Sequence, residues 1–520
     1  MASEVAAAHD LEKAAAHATT TSSSVSDGSQ EITPAPVSEK NLSGLQKLNA
    51  RIEGLSGFEA RGISRVMPDE RQPPSLWEDI SITLLWFSAN ISVNNLAVGL
   101  FGPLLFGLGF LDSAMCAVFG GLLGSISTAY MSTWGPQSGN RTMVVLRYFF
   151  GYWPAKIPAV LNIILMLGYC TIDAIISGQM LSAVNGGTMS IAVGIVVVQI
   201  VCLGVTVFGM KFFHQYERFA WIPQLMVLFI LIGAAAPHFD TATASTGEGA
   251  TLAANRLSFF SLCLYVPNSW GAAASDFYVY WPEKTSRARI FGLTLTGLWV
   301  AFSLVYMLGI GLATGIINNP AWQEANAIST GALIVAGYGP LNGFGLFCAV
   351  IVALGVISNS IPGTYSAALN MQALGRYPKV VPRYIWSIVM IVIQLALALA
   401  GRESLFAIMS NFLALMGYWI QIMVVIVLME HLVFRRVGSG GIGFDWTRWE
   451  DKEYLPLGLA AFTSFLLGWL GAVLGMYQVW YTGPLAVQAG FADVGLWVGC
   501  GFTIVSYLPL RWAELKYIGR

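Results

Sequence analysis

The sequence predicts an all-α membrane protein of twelve transmembrane helices, arranged as a five-plus-five inverted repeat with discontinuous helices 1 and 6, and with both termini cytoplasmic. Three observations carry that prediction. The 520 residues are 56% hydrophobic and only 11% charged, with a mean hydropathy of +0.65, a composition suited to hydrocarbon and not to water. Most apolar residues fall in segments near the roughly 20 residues that a helix needs to cross a bilayer. The polar side chains that interrupt them fall in spans 1 and 6 and in spans 3 and 8, each pair five spans apart.

Residues 1–75 are of different material. They are rich in Ala, Ser and Thr, carry Pro34, Pro36, Pro73 and Pro74, and contain few aromatics, which reads as a disordered cytoplasmic tail. Met1 to Asp10 hold two acids and no basic stretch before an apolar core, so no cleavable leader is expected. From Ile80 the predicted spans run Ile80 to Phe106, Ala114 to Met131, Ile157 to Leu181, Ile191 to Met210, Ala220 to Ala236 and Leu257 to Tyr280. The second six run Ile290 to Ile316, Gly345 to Leu369, Ile385 to Ala400, Leu405 to Leu428, Leu457 to Tyr477 and Val494 to Leu508. Residues 76–436 would form the transport core (spans 1–10), residues 437–510 would carry spans 11 and 12, and residues 511–520 a second cytoplasmic tail.

Orientation follows from the bases. With both ends inside, 25 Lys and Arg face the cytoplasm and only Arg256 and Arg402 face out, a strong positive-inside bias that one missed or invented helix in the middle would destroy. Overall charge is close to balanced, 27 bases against 28 acids, so nothing points to a nucleic-acid partner. All six cysteines lie in apolar stretches without metal-ligand spacing, which argues against a disulfide framework or a metal site. No cofactor is expected.

Side chains that hydrogen-bond have no use against lipid, so mid-span polarity marks a cavity or a helix contact. Span 1 carries Ser88, Asn90, Ser92, Asn94 and Asn95 ahead of Gly99, Gly102 and Pro103, and span 6 carries Pro267, Asn268, Ser269, Trp270, Gly271, Ser275 and Asp276. Neither favours an unbroken helix. Span 3 holds Thr171 and Asp173, and span 8 holds Ser358, Asn359, Ser360, Pro362 and Gly363. Paired spans five apart run in opposite directions, so broken helices 1 and 6 would meet at mid-membrane and offer bare backbone groups to a small polar solute. Asparagines in such helices also serve simply to join them, and Asp276, near the inner end of its span, also reads as a carboxylate bonded to N–H groups. The glycine tracts Gly102 to Gly109 and Gly120 to Gly124 read as close-packing surfaces and lack the Lys-Ser/Thr of a phosphate loop.

At this point the motifs become recognisable. Ser88-Ala89-Asn90 leading to Gly99, Ser275-Asp276-Phe277-Tyr278-Val279-Tyr280 with Pro282-Glu283, and above all Asn359-Ser360-Ile361-Pro362-Gly363-Thr364-Tyr365-Ser366-Ala367-Ala368-Leu369 resemble the nucleobase-cation symporter family, in its fungal purine-cytosine permease branch. The resemblance covers roughly Trp77 to Arg436. It implies the five-plus-five fold and import of purines and cytosine with protons across the plasma membrane. It places substrate contacts on Asn94 or Asn95, on Trp270 as a stacking face, and on Asn359, whose amide both donates and accepts. Two departures stand out: Asp173 where the branch has asparagine, and Gly363 where many members carry a second asparagine.

Those departures keep vitamin B6-type pyridines as a rival substrate class. Sodium-linked relatives place two adjacent hydroxyls in span 8, whereas this chain has Ile357-Ser358, so H+ is expected over Na+. Asp173 and Asp276 are the proton candidates, and Asp173 is also expected to contact the substrate, linking it with the proton. A membrane enzyme would need clustered chemistry, yet His9, His17, His214, His238 and His431 are scattered; a solute sensor that does not transport would need the same pocket as a carrier. Lys13, Lys40 and Lys47 in the tail are available to ubiquitin-type regulation.

Overall fold

A computed structural model describes residues 62–71, 75–208, 210–435 and 443–520. The lysines of the predicted tail lie outside the described residues. The described residues are mostly helical, and each predicted span coincides with helical segments. Span 1 is split into Leu76–Asn90 and Val93–Phe106, bent by 56°. Among the described residues, seven helices are long and apolar enough to cross a membrane by length and composition, eight if that bent pair is one span. Two shorter apolar helices, Ile191–Val205 and Leu459–Gly475, accompany them.

Local chemistry sets the ends of span 1. Ser75 caps its start, accepting from the Glu78 amide at 3.3 Å while the Glu78 carboxylate accepts from the Ser75 amide at 2.5 Å, which satisfies two of the donors a helix leaves open at that end. Gly107 ends the second half in the left-handed region at φ 58°, a conformation that costs a glycine little. Between the halves, Ile91 and Ser92 leave helical geometry.

Span 6 is helical over Gly249–Ser269 and then tightens into 3-10 turns, Trp270–Ala272 and Ala274–Phe277. Its helix starts eight residues before the predicted Leu257, because the polar first turns lie beyond the apolar run on which the prediction was based. Span 8 is also interrupted: Asn342–Gly355 and Ile357–Ala373 meet at Val356. Two further helices, Pro320–Ile328 and Thr330–Ala336, occupy what reads in the sequence as a loop. Asn319 and Ser329 cap them through side-chain oxygens. Spans 11 and 12 are joined through a two-residue hairpin pairing Tyr477 with Thr482 and Gln478 with Tyr481.

Helices 1 and 7 cross at glycines. A Cβ on Gly99 would lie 2.3 Å from the Tyr306 carbonyl oxygen, and one on Gly309 2.1 Å from that of Leu96. Gly120 and Gly124 of span 2 likewise sit on the Phe260 and Leu264 carbonyls of span 6, so part of the glycine tract does pack helix backbones together. Gly309→Ala is expected to destabilise the folded protein by about 1–3 kcal/mol, since backbone cannot yield as a side chain can. Detergent-solubilised thermal melts of the variant check this.

The basic loops gather at one end of the bundle. Residues 62–71, tail-like by composition, are seated there: the Val66 amide donates to Gly139 at 2.9 Å, and Arg71 reaches the Pro136 carbonyl at 2.5 Å. Glu430, fully buried at the end of span 10, accepts from Arg435 Nε and Arg511 Nη2, each at 2.9 Å, and from Tyr507 at 2.8 Å, tying span 10 to span 12.

At the opposite end Asp493 precedes the last helix. It accepts from Tyr418 at 2.7 Å, Gln478 at 3.2 Å and the Gly495 amide at 3.1 Å. Burial pushes its carboxyl up to about 6. The folded protein therefore holds this proton more tightly than the unfolded chain, so stability grows as pH falls through 6 and this gain saturates below the ordinary aspartate range. Relative to Asp493→Asn, the wild type should gain about 1.4 kcal/mol per pH unit in that window; parallel pH-dependent melts measure the difference.

Candidate functional site

The break in span 1 leaves carbonyls without helical partners, and side chains from three directions take them. Asn359 of span 8 donates to the Ala89 carbonyl at 2.7 Å, Asn95 to that of Asn90 at 2.9 Å, and Gln224 of span 5 to that of Ile91 at 3.2 Å. Asn90 donates to the Trp86 carbonyl at 2.8 Å. Asn94 Oδ1 accepts from the Asn95 amide at 2.7 Å and from the Ser92 hydroxyl. The asparagines of span 1 thus hold the break open from within, competing with the helix for its own backbone groups, and the break is tied to span 8 through Asn359.

Span 6 is treated in the same way. Thr128 of span 2 donates to the Pro267 carbonyl at 2.7 Å, and Asn162 of span 3 to that of Ala272 at 3.2 Å. Trp270, at the point where the α-helix ends, donates its indole N–H to Asn90 Oδ1 at 2.8 Å, joining the two breaks directly. Its ring meets Trp86 edge-on, centroids 5.8 Å apart.

Between these pieces lies a small cavity. Spans 1 and 6 line it with Asn90, Asn94, Asn95, Val266, Ser269 and Trp270. Spans 3 and 8 add Met166, Tyr169, Cys170, Asn359 and Gly363. Five predicted residues, Asn94, Asn95, Trp270, Asn359 and Gly363, are therefore brought together around one space. A Cβ on Gly363 would lie 3.0 Å from Cys170 Sγ, so glycine there leaves room against span 3.

The two aspartates lie elsewhere. Asp173 is fully buried one turn beyond Cys170 and does not line the cavity; Ser360, next to Asn359, donates to its Oδ2 at 2.9 Å, while Oδ1 has no partner. It touches the site through span 8. Asp276 belongs to a seal toward the basic end. Its Oδ1 accepts from the Thr142 amide at 2.7 Å and hydroxyl at 3.0 Å, and Arg141 donates to its backbone carbonyl at 2.7 Å. Arg141 also lies over the Tyr365 ring of span 8 at 5.7 Å, so this seal joins spans 6 and 8 below the cavity.

Sequence reasoning missed Tyr169. It sits four residues before Asp173, one helical turn away, which is the signal that could have found it. Its hydroxyl is buried without a partner, and its ring meets Phe412 of span 10 edge-on at 5.6 Å. If that hydroxyl bonds a bound solute, Tyr169→Phe should weaken binding by about tenfold, the value of one modest hydrogen bond. Competition uptake with the variant checks it.

Two broken helices facing one polar cavity define a membrane permease fold. Solved structures share this fold. Mhp1, a nucleobase-cation-symport-1 family transporter, matches in its closed conformation with bromovinylhydantoin bound at a TM-score of 0.59 and 15% identity, over 88% of this chain and 95% of that one. Its inward-facing form matches at 0.62. The family described as permeases for cytosine/purines, uracil, thiamine and allantoin matches residues 69–499. The purine-cytosine permease FcyB of Emericella nidulans is 36% identical over 98% of this chain and 99% of its own length. The vitamin B6 transporter TPN1 of Saccharomyces cerevisiae is 33% identical over 91% of this chain and 90% of its own. This chain belongs to the nucleobase-cation symporter family, in its fungal purine-cytosine permease branch. It is a multi-pass transporter and not an enzyme.

Proposed function

We propose that this protein is a proton-coupled symporter that imports purine bases and cytosine, or a related planar heterocycle, across the plasma membrane by alternating access. The observation that supports this best is the cavity at the joined breaks of spans 1 and 6, where a flat aromatic face stands beside several amides. Trp270 stacks on the ring, and Asn94, Asn95 and Asn359 read its edge by donating and accepting. In this reading twelve spans form two inverted repeats plus spans 11 and 12, with both termini cytoplasmic. Spans 1, 2, 6 and 7 rock against 3, 4, 8 and 9, and the Arg141, Asp276 and Tyr365 seal opens to release solute inward.

Asp173 carries the coupled proton. Its Oδ1 is partnerless, and its other oxygen is held by Ser360, beside the substrate-facing Asn359. A proton arriving there changes the Ser360 bond, and with it the setting of span 8 at the cavity. Asp276, whose carboxylate accepts from a backbone N–H, acts in the seal and is the weaker proton candidate.

A vitamin B6-type pyridine is the second reading, favoured by the likeness to a vitamin B6 transporter and by the room that Gly363 leaves beside Cys170. A competition panel of adenine, hypoxanthine, cytosine, uracil, pyridoxine and thiamine against radiolabelled uptake, at two pH values with and without sodium, separates the two. Binding without counterflow in proteoliposomes would make the protein a sensor instead of a carrier.

A further inference from the structure

At the basic end, away from the cavity, three cations crowd a pair of aromatic rings just before span 3. The Lys156 ammonium lies 4.1 Å from the centre of the Trp153 ring and 5.6 Å from that of Tyr152. Lys452, on the loop before span 11, lies 5.1 Å and 5.0 Å from the same two rings. Arg147 adds a third positive charge over Tyr152 at 5.0 Å. Like charges repel at this spacing, and among the described residues none of these three cations forms an ion pair. Glu450 is paired with Lys379 at 2.6 Å and Asp451 with Arg448 at 2.5 Å; among the described residues Glu453 forms no ion pair with any of the three cations. Lys156 also begins the helix Lys156–Val184, the end where the helix dipole favours an anion. Trp153 is 60% exposed.

Beside this cluster opens a second, largely apolar groove between spans 11 and 12, lined by Leu459, Thr463, Leu510, Ala513, Tyr517 and Ile518, with Ala460 and Glu514 completing it. Glu514 is already engaged, accepting from the Gly458 amide at 2.7 Å and the Ala460 amide at 3.2 Å. The two features adjoin. A Cβ on Gly458, the residue before the groove begins, would lie 3.0 Å from Pro154 Cγ, next to Trp153. Arg520, two residues beyond the groove, donates to the Lys452 carbonyl at 3.2 Å.

We propose that this is a binding site for an anionic phospholipid: the headgroup phosphate sits among Lys156, Lys452 and Arg147 against the Trp153 indole, and one acyl chain lies in the groove between spans 11 and 12. Aromatic rings and basic side chains at the bilayer surface, next to an apolar channel that faces hydrocarbon, match both halves of such a molecule. The basic end is the cytoplasmic one under the positive-inside reading, and that leaflet carries the anionic lipids. The site does not touch the cavity and stands whether or not the transported solute is a heterocycle.

The test is native mass spectrometry of the full chain in detergent, titrated with phosphatidylserine or phosphatidylcholine, together with a glycerophosphoserine arm that supplies the headgroup without acyl chains. Phosphatidylserine should bind in preference to phosphatidylcholine. The Lys156→Gln/Lys452→Gln double variant should lose about 30-fold of phosphatidylserine affinity, two interfacial cations' worth, with phosphatidylcholine unchanged. Thr463→Trp, which fills the groove from its exposed rim, should weaken the lipid and leave the weak glycerophosphoserine binding as it was. Equal binding of both lipids, an unaltered double variant, or glycerophosphoserine binding as tightly as the whole lipid would each overturn the site.

Discussion

Replacing Asp173 by Asn is expected to uncouple transport from the proton gradient. One proton per solute lets an inward gradient of about two pH units sustain about 100-fold accumulation, since each unit is worth about 1.4 kcal/mol. Asparagine is nearly the same shape and still accepts from Ser360, so the cavity should persist and facilitated movement down a gradient should survive. Accumulation should fall to equilibration, and uptake should lose its stimulation by acid outside pH. The measurement is radiolabelled uptake in proteoliposomes with and without an imposed pH gradient. A variant that still concentrates solute with unchanged pH dependence would remove Asp173 from coupling.

Trp270→Ala carries the second large effect. Stacking of a base on an aromatic side chain is worth about 1–3 kcal/mol by alanine substitution, which predicts a fall in affinity of about five- to 150-fold. The change also removes the indole N–H from Asn90 Oδ1, the bond that joins the breaks of spans 1 and 6. Trp270→Phe separates the contributions: it keeps a ring for stacking and loses only the bond, so its affinity should lie between wild type and alanine. Saturation uptake on surface-quantified protein reads both. Equal affinity in all three would exclude stacking.

The breaks were legible because their chemistry is local. Asn90, Ser92, Asn94 and Asn95 compete with their own helix within a few residues, and Pro267 removes a donor within span 6, so sequence alone marks where helices 1 and 6 stop. Asn94, Asn95 and Asn359 line the cavity because being polar at mid-span leaves them few other places to face. What sequence could not supply is depth around the helix axis. Asp173 and Cys170 are three residues apart on span 3, yet one sits behind span 8 and the other lines the cavity; the difference is set by Ser360, nearly 190 residues later. Asp276 is held by the Thr142 amide from a separate loop, a partner that its place in span 6 does not reveal. The short helices Pro320–Ile328 and Thr330–Ala336 escaped notice because neither has the length of an apolar span, and the seating of residues 62–71 rests on Arg71 reaching backbone carbonyls that composition does not reveal.

A planar heterocycle is expected to cross the membrane through the space between the two breaks. Uptake and counterflow of labelled adenine, cytosine and pyridoxine in proteoliposomes, for wild type and for the Trp270→Ala/Asn359→Ala double variant, test that directly. At least one of the three should be accumulated by wild type under an inward proton gradient without sodium and released by a protonophore, and the double variant should move none. Absence of uptake and counterflow for every heterocycle, or full activity in the double variant, would contradict it.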